Sequence, residues 1–104
     1  MGRTKVTRAL IWSEPAQVDI AAIIEYYNHR NGNSDYSERM TRQFRERMNY
    51  VVTDPYSGEK WKNKGFRFVI VYPFQLFYYV TKTEIVVASV WDGRRDPKTL
   101  KLTH

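Results

Sequence analysis

The sequence predicts an α+β domain, β-α-α-β-β-β, with a two-helix hairpin packed on a mainly antiparallel sheet. Three observations carry that expectation. Apolar residues recur with helical spacing through two segments in the first half of the chain. Three short runs rich in β-branched and aromatic residues follow one another near the end, separated by connections short enough for hairpins. The 104 residues fit one domain, 1–104, with 42% hydrophobic residues, enough to build a core.

The elements follow in order. Val6–Trp12, bounded by Ser13-Glu14-Pro15, is expected to form a short first strand. Ser13 suits a helix N-cap, and Pro15 falls in the first turn, where its missing N–H does no harm. Ala16, Ile20, Ile23, Ile24 and Tyr27 then make one buried stripe of a helix that ends in the Asn-Gly-Asn region at 28–33. The second helix is expected to start at Asp35, with Glu38 at capping-box spacing. Tyr36, Met40, Phe44, Met48 and Val51 continue its apolar face, and Asp54-Pro55 stops it. Tyr56–Gly65 reads as a loop. Strands are expected over Phe66–Tyr72, Gln75–Thr81 and Glu84–Trp91, the last apolar on both faces, as a central or partner-covered strand would be. A cationic turn, Asp92-Gly93-Arg94-Arg95-Asp96-Pro97, ends the run.

Composition narrows the chemistry. Seventeen Lys and Arg against eleven Asp and Glu give a net charge of +6, which favours acidic partners such as nucleic acid, an acidic protein or an anionic surface. The absence of cysteine excludes disulfides, thiol catalysis and Cys-based metal sites. His29 and His104 lie far apart, so no multi-His metal site is expected, and no cofactor is implied. No apolar stretch is long enough for a membrane helix, so a soluble cytoplasmic protein with no membrane partner is expected.

The candidate functional residues are cationic. Arg94 and Arg95 could clamp a phosphate or carboxylate bidentately, or simply pair with Asp92 and Asp96 across the turn. Lys60, Lys62 and Lys64 surround Trp61, a pattern that suits either a solvated loop or RNA binding. The arginines of the second helix, Arg39, Arg42, Arg45 and Arg47, read as a solvated face with Glu partners.

The element order, Ile11-Trp12-Ser13-Glu14-Pro15-Ala16 with Asp19-Ile20 and Ile23, and Asp54-Pro55-Tyr56-Ser57-Gly58 together resemble the RelE/ParE toxin superfamily. So do Arg67, Phe77-Tyr78-Tyr79-Val80 and Val90-Trp91-Asp92-Gly93-Arg94-Arg95-Asp96-Pro97. The resemblance spans roughly residues 6–102 and implies a toxin of a type II toxin–antitoxin module of the plasmid-stabilisation kind. It further implies a cognate antitoxin, with which the toxin forms a hetero-oligomer. The target would be DNA gyrase in the ParE-like branch, or ribosome-bound mRNA, cut without metal, in the RelE-like branch.

For the nuclease branch, the resemblance matches Arg67, and Arg94 or Arg95, to basic residues of the catalytic set and places Gln75 on the substrate side, where Lys60, Lys62 and Lys64 around Trp61 are the further candidates for substrate binding. Gln75 stands where such nucleases carry an arginine, and Leu100 where they carry a Tyr or His; His104 is the nearest substitute. The Gly-Arg-Arg-Asp ending resembles ParE-type and unassigned members more closely. A non-catalytic binding module with a toxin-like fold is the remaining alternative.

Overall fold

A computed structural model describes residues 7–62 and 64–102. Strand β1 (Ala9–Trp12) leads into helix α1 (Glu14–Asn31), which is followed by helix α2 (Asp35–Thr53). Four further strands follow: β2 (Glu59–Trp61), β3 (Phe66–Val71), β4 (Phe74–Val80) and β5 (Glu84–Asp92); a 3-10 turn, Pro97–Thr99, comes last. They form one five-stranded sheet in the order β1-β5-β4-β3-β2. Only the β1–β5 pair is parallel.

The architecture is the expected one with an added strand. Glu59–Trp61 lies within the stretch read as a loop, yet it pairs antiparallel with β3, Trp61 opposite Phe66. Three residues with a single apolar side chain carry no alternation for a sequence reading to detect; the pairing is imposed by β3. β5 is internal, flanked by β1 and β4, which accounts for its two apolar faces. The first strand begins at Ala9; the expectation for Val6 falls outside the described residues, as does that for His104.

Helix ends follow local chemistry. The Ser13 hydroxyl accepts from the Ala16 N–H at 3.2 Å, and Gly32, at φ 72°, closes α1 with its N–H on the Asn28 carbonyl. The capping box expected at Asp35 and Glu38 does not form. Ser34 is the N-cap without a side-chain bond, and the Asn33 carboxamide oxygen accepts from Asp35 N–H instead. An Asx turn in the connecting loop has taken the donor first. The buried Ser37 hydroxyl lies within hydrogen-bond reach of Asn28 Oδ1 and of the Ser34 carbonyl, joining the two helices at their junction.

The helices cover one face of the sheet. Met40, Phe44, Met48 and Val51 of α2 and Ala16 of α1 pack on Val69, Phe74, Leu76, Tyr78, Ile85, Val87 and Val90. The opposite face holds an aromatic cluster: Trp61 and Phe68 stand edge-on to each other, both against Phe77, and Phe66 meets Tyr79. Strand alternation sends Phe66, Phe68 and Ile70 to this second face.

Candidate functional site

The cationic turn grows from the end of β5. Asp92 Oδ1 accepts from the backbone N–H and Nε of Arg94, and Asp92 Oδ2 sits 2.7 Å from Arg94 Nη2. The same Nη2 donates to the Tyr27 hydroxyl of α1 at 3.2 Å. These bonds hold the Asp92 carboxyl below the usual carboxylate range and raise the Arg94 guanidinium. Arg94 is thus folded back onto its own turn, at the mouth of a 330 Å³ cleft between α1 and β5 that Asp19, Tyr26 and Tyr27 also line.

Arg95 lines the same cleft but takes a different partner. Its guanidinium carbon lies 4.5 Å from the centre of the Trp91 ring. Trp91 faces Gln75 across the β4–β5 pair, and Gly93 passes close to both Gln75 and the Pro73 carbonyl, to which it donates at 2.8 Å. Trp91 and Gln75 therefore share one end of the sheet face that the helices leave open, and Arg95 reaches the Trp91 ring from the cleft beside α1. The expected pairing of Asp96 with an arginine is replaced by a cap: Asp96 accepts from the Lys98 N–H at 2.9 Å.

Arg67 is placed elsewhere. It lies opposite Lys60 and Tyr78, at the other end of the sheet and on its other face. Its Nη1 donates to the carbonyls of Tyr56 (3.1 Å) and Gly58 (2.8 Å), and its guanidinium lies 5.2 Å from the Tyr56 ring centre. Lys60, Lys62 and Lys64 gather at this same end, Lys62 Nζ resting 4.8 Å from the Trp61 ring centre. The expected site residues thus fall into two groups, Arg94, Arg95 and Gln75 at one end and Arg67 with the lysines at the other.

Two structural roles have long-range partners that no spacing rule links. The buried Tyr78 hydroxyl accepts from the Gly58 N–H at 3.0 Å and donates to the Pro55 carbonyl at 2.9 Å, pinning the 54–58 segment together with Arg67. A Cβ at Gly58 would fall 2.5 Å from that hydroxyl, so only glycine fits. Asp19 accepts from the Ser89 hydroxyl (3.1 Å) and the Val90 N–H (2.9 Å) beside the irregularity that leaves Ala88 without a partner in β4. Its sequence signal is a carboxylate three residues after Ala16 and four before Ile23, on the buried stripe itself.

A two-helix hairpin on a mainly antiparallel sheet, ending in an arginine turn, is the fold of the small RelE/ParE-type toxins. The family model described as "ParE toxin of type II toxin-antitoxin system, parDE" matches residues 10–97, and the chain belongs to that family. The fold is similar to that in the "Chromosomal ParDE TA system from P. aeruginosa", with a TM-score of 0.71 at 20% identity over 83% of this chain and 96% of that one. It is also similar to a chain of the E. coli DinJ-YafQ toxin–antitoxin complex, with a TM-score of 0.55 at 12% identity over 84% of this chain and 93% of that one. Among curated proteins no relative matches. The protein is a type II toxin. No helix among the described residues is long and apolar enough to cross a membrane.

Proposed function

We propose that this toxin arrests growth by binding DNA gyrase rather than by cutting ribosome-bound mRNA, and that a cognate antitoxin neutralises it by forming a complex with it. One observation carries the choice of target. Metal-free RNA cleavage needs cations converging on one phosphate, with a proton donor and acceptor beside them. Here Arg67 clasps the 56–58 loop at one end of the sheet, whereas Arg94 is tied to Asp92 and Arg95 lies over Trp91 at the other. Gln75, which shares the open face with Trp91, brings no charge, and Leu100 offers no proton. The arrangement suits a binding surface better than a phosphate clamp. The antitoxin partner is proposed from the family and from the complexes in which the similar folds occur.

Induced expression in a bacterium tests this reading. Growth should stop, co-expression of the antitoxin should restore it, and primer extension should show intact mRNA. New ribosome-dependent cuts that vanish with Arg67→Ala and Arg95→Ala would overturn the gyrase reading in favour of the nuclease.

A further inference from the structure

The topology collects positive charge at the sheet end that holds the β2–β3 and β4–β5 turns. Lys60, Lys62, Lys64 and Arg67 come from the first of these, Lys82 from the second, and Arg8 from the start of β1, its Nε donating to the Thr81 carbonyl at 2.6 Å. The carboxylates near them among the described residues are Asp54, Glu59 and Glu84. Lys60, Lys62, Lys64 and Lys82 are all exposed, and an open cleft of 330 Å³, lined by Tyr56, Lys60, Arg67 and Val80, lies among them.

The rings at this end decide what the charge can recognise. Trp61 is half-buried, edge-on to Phe68 and Phe77, and Lys62 covers the ring; Lys62 itself has φ 49°, uncommon outside glycine. Arg67 likewise lies over Tyr56. A single strand is held by bases stacking on open aromatic faces. Trp61 is packed on Phe68 and Phe77 beneath Lys62, and the exposed Tyr56 ring has Arg67 over one face, so the surface offers more charge than stacking. The four lysines run from β2 to the β4–β5 turn, two to three strand spacings or about 10–14 Å. That matches the roughly 12 Å width of a major groove, so phosphates of both strands fall within reach.

We propose that the sheet end carrying Lys60, Lys62, Lys64 and Lys82 binds the phosphodiester backbone of duplex DNA without reading its sequence. The proposal deepens the gyrase reading and rests on it for its setting, since gyrase holds duplex DNA. Backbone contacts of this kind release counterions, so affinity falls steeply with salt.

The test is fluorescence anisotropy of the whole protein with a labelled duplex of arbitrary sequence, over a series of salt concentrations. Four phosphate contacts predict a log–log slope of about −4. The double variant Lys62→Glu/Lys82→Glu should bind about tenfold more weakly, with a slope shallower by about two. Lys98→Glu/Lys101→Glu makes the same charge change in the segment that follows β5 and should leave both nearly unchanged. Equal losses in both variants would reduce the effect to net charge and overturn the site. Tighter binding of single-stranded DNA or RNA, or equal binding of poly-glutamate, would overturn the assignment to duplex backbone. A gyrase assay on the same variants separates the two readings: undiminished gyrase poisoning without DNA binding sinks only this inference. DNA binding with no effect on gyrase sinks only the target.

Discussion

At the scale of single residues, long-range polar pins hold the parts of this toxin that local sequence leaves free. Asp19 supplies the acceptor for two donors where β4 and β5 lose register. Asp19→Ala would strand the Val90 N–H and the buried Ser89 hydroxyl, so urea unfolding should show a loss of about 1–3 kcal/mol. Tyr78 plays the matching part under the 54–58 loop. Tyr78→Phe should cost a similar ~1–3 kcal/mol by leaving Gly58 and Pro55 unsatisfied. Burial raises the Tyr78 phenol, outweighing the Gly58 hydrogen bond and nearby Arg67, which pull it down. A folded-state value above the unfolded one, about 10, means its contribution is intact below that pH and is lost as pH rises through the folded value. The wild type should therefore lose stability more steeply than Tyr78→Phe in alkaline melts. By contrast, the Arg94–Asp92 pair is exposed and anchors a turn more than it stabilises the fold.

At the scale of elements, periodicity made most of the fold legible. The stripe Met40, Phe44, Met48, Val51 is spaced for one helix face, and all four residues are buried as that spacing requires. Phe44 sits against Phe74 with ring centres 5.6 Å apart, so Phe44→Ala should cost about 3–5 kcal/mol in the same unfolding experiment. Asp54 ends α2 as the following proline dictates. What escaped the sequence shares a physical cause. The strand at Glu59–Trp61 and the bonds of Asp19 and Tyr78 depend on partners distant in the chain, and a period carries no information about those. The candidate site was legible as a set of cations but not as an arrangement. Strand register sends Arg67 to the helix-covered face opposite Tyr78, and the Asp92 turn gives Arg94 and Arg95 different partners beside one cleft.

At the scale of the whole molecule, the toxin is a five-stranded sheet with chemistry at its two ends and helices over one face. One end displays lysines around capped aromatic rings; the other displays Arg95 over Trp91 beside Gln75. Arg67 and Arg95, the arginines expected to act on one phosphate, stand at opposite ends of the sheet, which supports the proposal that the toxin acts by binding. Such a toxin should trap its target rather than consume a substrate, so inhibition should scale with occupancy and be reversed by a neutralising partner. The most direct measurement adds the purified protein to DNA gyrase, relaxed plasmid and ATP. Supercoiling should fall as the protein approaches the gyrase concentration, and gyrase-cleaved linear plasmid should accumulate. Normal supercoiling at a large excess of protein, alongside cleaved mRNA in a translating extract, would contradict it.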